Sequence, residues 1–325
     1  MLMLTLAACA TQAKGPQRRE YSRLIMGVKA RLVLWVREEE QAREAARKAF
    51  SRMEAVDAAL SDYRPSSEAM RLSRRSGGGF VSVGRDLMDA LKIARDVSRR
   101  SEGAFDVTVG PLVALWREAR RLGRLPDAAA LERARRTCGM EKIVLDEDRR
   151  RACLMAAGMR LDFGGIGKGL ACDRASEVLR AAGIPRHLVE IGGDLVVGRA
   201  PPGGGGWRVS LGPEGGIMVL ERVAVATSGD TEVHLDIDGV RYSHIIDPRT
   251  GIGLTNRVRV TLLAPTGAWA DALASAVSVL GVEKGKALVE SLEGMEARIE
   301  RVLPEGGRRL VATPGFPLEK RCPKP

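Results

Sequence analysis

The sequence predicts an α+β fold, and two observations predict it. Apolar residues recur at helical spacing in the first part of the chain and again near its end, whereas short strand signals dominate the stretch after Gly183. The pattern lacks the regular alternation of strand and helix that would predict a doubly wound parallel sheet. No Pro/Ser-rich linker and no repeat of solenoid-like period divides the 325 residues, so we expect one compact, bilobal unit.

The first half of the chain predicts one strand and then four helices. Residues 28–36 are mostly apolar with charges on alternate positions at the start, which is typical of a strand. A long amphipathic helix is predicted at residues 38–60, where alanines and larger apolar residues share one face, and another at 87–97. Residues 112–121 and 128–137 predict two shorter helices.

The second half predicts many short strands between helices. Short strands are expected at residues 143–145 and 159–161, followed by a helix over 169–182 that ends at Gly183. The strands expected after it cover residues 188–191, 195–197, 207–211, 217–220, 223–226, 233–237 and 258–263. The closing elements are helices at 268–279 and 284–292 and strands at 297–302 and 309–312.

The charge balance is strongly basic, with a formal net charge of +11. Arginine pairs such as Arg74-Arg75 and Arg120-Arg121 carry much of it and are dispersed through the predicted helices. A basic balance is typical of proteins that bind nucleic acid or an anionic membrane surface. Aromatic residues make up only 4% of the chain, and no nucleic-acid-binding motif accompanies the arginines. We therefore interpret the charge as a solvated basic surface, which would suit anionic lipid, and expect no nucleic-acid partner.

The five cysteines do not predict a zinc site. None forms a C-x-x-C pair, and no histidine stands at metal-ligand spacing from them. Cys138, Cys153 and Cys172 lie in apolar surroundings and are expected to be inert thiols.

Cys9 differs from the other cysteines because Leu6-Ala7-Ala8-Cys9 resembles the cleavage box of bacterial lipoproteins, in which the cysteine becomes the lipidated first residue. No Lys or Arg precedes it, and the apolar run before it is shorter than a usual signal core. Either translation starts upstream of Met1 or the box is a chance match; we favour the first. Residues 1–24 are accordingly interpreted as a signal remnant and polar tether, and residues 317–325 as a C-terminal tail.

A glycine-rich segment, residues 161–169, leads directly into a predicted helix. Glycines let a backbone approach a bulky ligand closely, and a helix N-terminus offers free N–H groups and a positive dipole end to a phosphate. Lys168 could add a point charge to such a site, whereas Asp173, on the helix itself, is expected to cap or pair there. The spacing matches neither the dinucleotide fingerprint nor the Walker A loop, so an ordinary turn with a solvated lysine stays an equal alternative.

Residues 242–251 place a hydroxyl, an imidazole, a carboxylate and a guanidinium around a Pro-x-x-Gly turn. The chain has three histidines, and His244 lies between the hydroxyl and carboxylate neighbours of this segment. A run of small residues further on reads as a helix and carries Asp271 and Ser275, which are four apart and therefore project from one face. Their oxygens suit Mg²⁺, although such a pair is more often a helix cap or a solvated face.

Taken together, these motifs resemble those of the FAD:protein FMN transferases, also called ApbE-like flavin transferases. The resemblance runs in collinear order over residues 25–292. The motifs that carry it are Met26-Gly27, residues 60–65 with Ser67-Glu68, and residues 104–112, 161–168, 191–194, 226–230, 243–251 and 271–275. Each motif alone is weakly specific, but their shared order identifies the family.

The resemblance implies a single bilobal ApbE-like domain over residues 25–316, with helices packed on mostly antiparallel sheets. It implies Mg²⁺-dependent transfer of FMN from FAD to a threonine or serine hydroxyl of an acceptor flavoprotein with a threonine motif, and release of AMP. Two rival functions stay open: an FAD pyrophosphatase that yields FMN and AMP, and a non-catalytic FAD-binding lipoprotein. Because the family includes many bacterial lipoproteins, the resemblance also implies that lipidated Cys9 anchors the chain to the periplasmic side of the inner membrane.

The resemblance further implies the residues of the site. The FAD contacts are Met26, Tyr63, Ala104, Phe105, Asp106, Asp162, Lys168 and Ile245. The metal ligands are the side chains of Asp271 and Ser275 and the backbone carbonyls of Gly165 and Ala274. Ser275 stands where the family usually has threonine, but the hydroxyl is kept. Glu190 departs from the small polar residue expected beside the flavin pocket.

For proton transfer His244 is the best candidate, because an imidazole titrates near neutrality and can accept a hydroxyl proton. Asp247 is the second candidate catalytic residue and would orient His244 or the acceptor, while Arg249 would balance phosphate charge. The alternative is that His244 only contacts a ligand phosphate. His187, which lies in a strand context, is expected to be an ordinary partner of backbone groups.

Overall fold

The computed structural model describes residues 15–212, 215–229, 234–303 and 306–318. The helices are α1 (Glu39–Leu60), α2 (Glu68–Arg74), α3 (Arg85–Arg100), α4 (Gly110–Leu122), α5 (Ala128–Thr137), α6 (Gly167–Ala181) and α7 (Gly267–Glu290), with a 3-10 turn at Met140–Lys142. The strands are β1 (Gln17–Ile25), β2 (Val28–Val36), β3 (Val81–Ser82), β4 (Ile143–Asp146), β5 (Arg151–Leu154), β6 (His187–Ile191), β7 (Asp194–Val197), β8 (Trp207–Ser210), β9 (Ile217–Leu220), β10 (Val223–Ser228), β11 (His234–Ile237), β12 (Val240–Ser243), β13 (Val258–Ala264), β14 (Glu296–Val302) and β15 (Arg308–Ala312).

The largest sheet has eight strands in the order β1-β2-β6-β7-β10-β13-β14-β15. Every neighbouring pair in it is antiparallel. The smaller sheets of the described ranges are β3-β5-β4, β8-β9 and the hairpin β11-β12. This architecture confirms the α+β class and the antiparallel sheets expected from the sequence and the resemblance.

Helices α1, α6 and α7 cover one face of the large sheet. Alternation along β13 shows the division: Val258, Val260 and Leu262 are buried on the helix face, whereas Leu263 points to the opposite face. On that opposite face Leu263 belongs to a second apolar cluster with residues of β8 and β9, Trp207 among them. The sheet therefore lies between two cores, and the larger core fixes the helices that carry the site.

Helices α6 and α7 meet at two glycines. A Cβ atom on Gly169 would lie 2.0 Å from the carbonyl oxygen of Gly267, and one on Gly267 would lie 2.3 Å from the carbonyl oxygen of Gly169. The contact therefore requires glycine on both helices. Asp173 of α6 accepts hydrogen bonds from the backbone N–H groups of Gly267 and Ala268. It therefore has a structural, capping role, but at the start of α7 and not on its own helix as predicted.

Strand β1 corrects the sequence interpretation, which assigned residues 1–24 to a signal remnant and tether. The strand pairs with β2 along its whole length at the edge of the large sheet, so the folded part begins at or before Gln17. Most of its side chains are polar and at least partly exposed, and only Ile25 is buried, which is typical of an edge strand. Residues 1–14, which include Cys9, and residues 319–325 lie outside the described residues.

The other differences from the predicted elements are small. Residues 159–161 contribute only an isolated bridge between Val109 and Arg160 rather than a strand. The two closing helices are the two parts of α7, which is interrupted at Gly281 by a φ of 76° and a ψ of −170°. Strands β3, β5 and β12 and helix α2 were not predicted. Among the described helices, none combines the length and the apolar character needed to cross a bilayer.

The cysteines of the described ranges are free thiols. Burial raises the pKa of Cys138 to about 12 and raises the pKa of Cys172 as well. The Sγ atom of Cys153 contacts the carbonyl oxygen of Gly78 at 3.2 Å. A buried thiol with a raised pKa is a poor nucleophile, which supports the inert role predicted for Cys138 and Cys172.

Candidate active site

Three elements bring charged side chains together beside the glycine-rich loop. Lys168 lies in the first turn of α6, Asp194 opens β7, and Asp271 lies near the start of α7. The Nζ atom of Lys168 contacts Oδ2 of Asp194 at 2.5 Å and the two carboxylate oxygens of Asp271 at 3.2 and 3.3 Å. The side chains of Asp194 and Asp271 are only 2% and 7% exposed. Lys168 is thus held by buried partners, and the alternative of a merely solvated lysine is wrong.

When both carboxylates are ionised, this cluster has an excess of negative charge, because one ammonium group faces two carboxylates. Burial opposes the charge on Lys168, but the carboxylates of Asp194 and Asp271 outweigh it and raise the pKa of Lys168 above its usual value. Burial and the neighbouring charge of Asp271 raise the pKa of Asp194. Backbone N–H groups stabilise both carboxylates: Thr227 donates to Asp194 and Gly169 to Asp271, each at 3.2 Å. A second cation would complement the remaining negative charge.

The metal ligands implied by the resemblance lie on two adjoining segments. Asp271, Ala274 and Ser275 are on α7, and the glycine-rich loop packs against them so closely that a Cβ atom on Gly165 would lie 2.8 Å from Oγ of Ser275. The carbonyl oxygen of Ala274 accepts a hydrogen bond from the hydroxyl of Ser278 at 2.9 Å. Within the described ranges, no group of three or more His, Cys, Asp and Glu could hold a metal ion. A metal here would instead be held by one carboxylate, one hydroxyl and two backbone carbonyls.

Two carboxylates predicted to contact FAD also hold the local loops in shape. Oδ1 of Asp106 accepts hydrogen bonds from the N–H and the hydroxyl of Thr108 at 2.7 and 2.6 Å. Oδ1 of Asp162 accepts one from the N–H of Gly164 at 2.8 Å. Burial raises the pKa of both carboxyl groups. Both residues therefore shape the loops that carry them, and their contacts with FAD stay a prediction.

The apolar residues predicted to contact FAD occupy three different places. Ala104 and Phe105 are buried just before α4. Met26 and Gly27 form the two-residue turn between β1 and β2, with φ values of 54° and 75° that suit such a hairpin. Ile245 is half-buried in the segment after β12. The structure thus gives the Met-Gly pair a role in the hairpin turn. The motif alone could not show whether the pair is needed for this turn or for a ligand contact.

Tyr63 lies at the surface of the site, with 75% of its area exposed. One face of its ring is covered by the guanidinium of Arg117 on α4, whose Cζ atom lies 4.3 Å from the ring centroid. Arg117 also forms ion pairs with Asp62 and, at 3.4 Å, with Asp162. Sequence reasoning missed Arg117 because it lies on α4, far along the chain from the residues it contacts and outside every motif.

The turn after β12 packs on α4. The indole Nε1 of Trp116 donates a hydrogen bond to the carbonyl oxygen of Gly251 at 2.8 Å. The carboxylate of Asp247 accepts hydrogen bonds from Nε and Nη2 of Arg249 at 2.9 and 2.7 Å. His244 is exposed on the same segment, before this turn. Arg249 is therefore paired with Asp247, and the catalytic roles of His244 and Asp247 stay predictions.

Two residues of β6 have structural partners. His187 is completely buried, with Nδ1 bonded to the carbonyl oxygen of Ile184 at 2.7 Å and Nε2 to the hydroxyl of Ser176 at 2.8 Å, which confirms its predicted role. Glu190 accepts hydrogen bonds from Nε and Nη2 of Arg31 on the neighbouring strand, at 2.8 and 2.6 Å. The departure of Glu190 from the family pattern is thus accommodated by an ion pair on the sheet.

The match to known proteins decides the family. The sequence pattern of the ApbE family matches residues 26–299. The chain belongs to the ApbE family. A Vibrio cholerae protein named FAD:protein FMN transferase is 34% identical over 250 residues, which cover 74% of each chain. A Treponema pallidum protein of the same name is 32% identical over 308 residues, covering 86% of this chain and 84% of its own.

Solved ApbE structures share the fold. The flavin transferase ApbE from Vibrio cholerae is 29% identical with a TM-score of 0.84, and the match covers 93% of this chain and 98% of that one. The flavinyl transferase ApbE from Pseudomonas stutzeri, in its apo form, is 27% identical with a TM-score of 0.82, covering 94% and 97%. These matches confirm the family that the sequence motifs indicated.

Proposed function

We propose that this ApbE protein transfers FMN from FAD to a threonine or serine hydroxyl of an acceptor flavoprotein and releases AMP. The names of its relatives, FAD:protein FMN transferase, support this reaction. The structural observation that carries it is the buried cluster of Lys168, Asp194 and Asp271 beside the glycine-rich loop. The negative charge of a pyrophosphate must be offset, and a cation held by Asp271 beside the ammonium of Lys168 would offset it here.

The reaction forms one P–O bond and breaks another. The hydroxyl oxygen of the acceptor attacks the phosphorus of the FMN half of FAD, and the bridging P–O bond to the AMP half breaks with its electron pair going to AMP. The attacking hydroxyl loses its proton. The protein must therefore hold the pyrophosphate, offset the charge of its oxygens and receive a proton.

The oxygen-rich ligand set fits Mg²⁺, which prefers hard oxygen ligands and is often shared with substrate phosphates. We propose that the side chains of Asp271 and Ser275 and the carbonyls of Gly165 and Ala274 hold the ion. When bound, it would offset negative charge on the pyrophosphate. The fit is supported by the two carboxylates that face the single ammonium of Lys168 and by the close contact of the glycine-rich loop with Ser275.

We also propose the residues that contact FAD. They are Met26, Tyr63, Ala104, Phe105, Asp106, Asp162, Lys168 and Ile245. His244 is the proposed base for the acceptor hydroxyl, and its exposed position would let an acceptor protein reach it. The carboxylate of Asp247 accepts hydrogen bonds from Arg249. Asp247 would therefore act by holding the turn that follows His244.

We further propose that lipidated Cys9 anchors the domain on the periplasmic side of the inner membrane. The support is the Leu6-Ala7-Ala8-Cys9 box, and the early start of β1 at Gln17 would keep the domain close to the lipid surface. Expression from an upstream start should give a protein that fractionates with membranes, and Cys9→Ser should release it. Wild-type protein that stays wholly cytosolic and unlipidated in its native host would overturn the anchor.

The proposed reaction is tested by incubating the protein with FAD, Mg²⁺ and a candidate acceptor, followed by mass spectrometry of the acceptor. The expected result is a covalent FMN adduct on a threonine or serine. Free FMN and AMP without an adduct, for every acceptor tried, would instead support the pyrophosphatase. Binding of FAD without any turnover would support the non-catalytic flavin-binding protein.

A further inference from the structure

Arg117, at the edge of the site, contacts both an aromatic ring and two carboxylates. The guanidinium of Arg117 stacks over the ring of Tyr63, with 4.3 Å between Cζ and the ring centroid. The same group forms ion pairs with the carboxylates of Asp62 and Asp162. These contacts join α4 to the segment before α2 and to the start of the glycine-rich loop.

The backbone next to Tyr63 is fixed as well. Nη2 of Arg160 donates a hydrogen bond to the carbonyl oxygen of Asp62 at 3.1 Å. The N–H of Tyr63 donates one to Oγ of Ser61 at 3.3 Å. Asp62 is thus held through both its side chain and its main chain, and Tyr63 follows it directly.

Tyr63 nevertheless stays 75% exposed, although an aromatic side chain usually gains by burial. The stack with Arg117 covers one face of the ring, so the exposed area includes the other face. A ring held in place on one side and open on the other offers a flat surface to a second π system. FAD carries two such systems, the adenine and the isoalloxazine.

We propose that Arg117 is a positioning residue, which holds the ring of Tyr63 so that a planar ring of FAD stacks on its open face. The inference rests on the proposed function, because it takes FAD as the ligand. Arg117 acts through its planar guanidinium, which stacks on the ring while its N–H groups pair with the two carboxylates. A lysine in its place could keep an ion pair but could not provide the planar stack.

The test measures the affinity of the full-length protein for FAD by flavin fluorescence in the presence of EDTA, which separates binding from turnover. The variants are Tyr63→Ala, Arg117→Met, Arg117→Lys and the double variant Tyr63→Ala/Arg117→Met. The matched control is Arg121→Met on the same helix, because Arg121 also pairs with a carboxylate, that of Glu118, but lies outside the site. Thermal unfolding without ligand checks that each variant is folded. If Arg117→Met does not fold, the comparison of Arg117→Lys with the wild type still tests the proposal.

We expect Tyr63→Ala to weaken FAD binding roughly ten-fold and both Arg117 variants to weaken it about three- to ten-fold. The double variant should bind no more weakly than Tyr63→Ala alone, because Arg117 acts through the tyrosine. The control should bind FAD like the wild type. A titration with FMN and a competition of AMP against FAD identify the stacked ring, since only the ligand that carries it should lose affinity in Tyr63→Ala.

Two results would overturn the inference. Wild-type FAD affinity in Arg117→Lys would mean that Arg117 serves only as a charge for Asp62 and Asp162. Additive losses in the double variant would mean that the two residues act independently. Neither result touches the proposed reaction, which fails only if no acceptor receives FMN while FAD binding is intact.

Discussion

Gly169 and Gly267 touch backbone to backbone where α6 and α7 meet, and each carbonyl oxygen occupies the place that a Cβ atom on the other residue would need. This contact sets the site, because Lys168 directly precedes Gly169 and Asp271 lies one turn after Gly267. The glycines that suggested a phosphate loop therefore also bring two helix N-termini together.

Gly169→Ala should lower the free energy of unfolding by about 2 kcal/mol or more, because the new Cβ atom would lie 2.0 Å from the carbonyl oxygen of Gly267 and the helices must move apart. The measurement is urea unfolding. Gly79→Ala is the control, since a Cβ atom there meets nothing within 4 Å. Equal stability of the two variants would contradict the close helix contact.

Asp271→Asn should reduce FMN transfer on the order of 10²-fold or more at saturating Mg²⁺, because a charged ligand is removed from the proposed metal site. The amide keeps an oxygen to accept the N–H of Gly169, so the fold should survive. Asp236→Asn, a carboxylate paired with His234 on β11, is the control. Near-normal turnover of Asp271→Asn would remove this residue from the metal site.

Acidification should destabilise the protein partly through His187. Burial lowers the pKa of His187 in the folded state. Below about pH 6.5, the pKa of histidine in the unfolded chain, the unfolded chain therefore binds a proton that the folded chain does not bind. The contribution of His187 to stability is thus present above about pH 6.5 and falls as the pH drops further, by up to about 1.4 kcal/mol per pH unit.

His187→Gln, which removes the titrating group, should flatten this part of the pH profile in chemical unfolding at a series of pH values. His234→Gln is the control because that imidazole is partly exposed, at 29% of its side-chain area. Parallel profiles for wild type and His187→Gln would show that His187 does not carry the effect.

His244→Gln should lower FMN transfer by roughly 10²- to 10⁴-fold if His244 accepts the acceptor's proton. FAD affinity should change much less, because the proposed contacts of Lys168 and Tyr63 remain. Steady-state transfer rates and FAD binding are measured on the same preparation. A loss of FAD affinity in proportion to the loss of rate would make His244 a ligand contact instead of a base.

The sequence predicted the family and the elements that carry the candidate site better than the contacts between them. Motif order identified the family, and helical spacing correctly placed Asp271 and Ser275 on one face of α7. The Lys168–Asp194 pair could not be foreseen, because the contact depends on where β7 begins relative to α6. Arg117 gave no signal at all, since a helix pattern does not reveal which loop packs on its polar face.

The secondary structure was also predicted well in some places and poorly in others. Elements with strong periodicity, such as α1, were predicted nearly to their ends. Strand β1 was missed because an edge strand with polar side chains lacks the apolar alternation that marks a strand, and only pairing with β2 stabilises it.

The central claim is that FMN leaves FAD for a protein hydroxyl, and the most direct test counts the products of one reaction. Wild-type protein is incubated with FAD, Mg²⁺ and an acceptor, and released AMP is compared with FMN attached to the acceptor and with free FMN. Transfer predicts one attached FMN for each AMP, with little free FMN. AMP accompanied by an equal amount of free FMN and no adduct would contradict it.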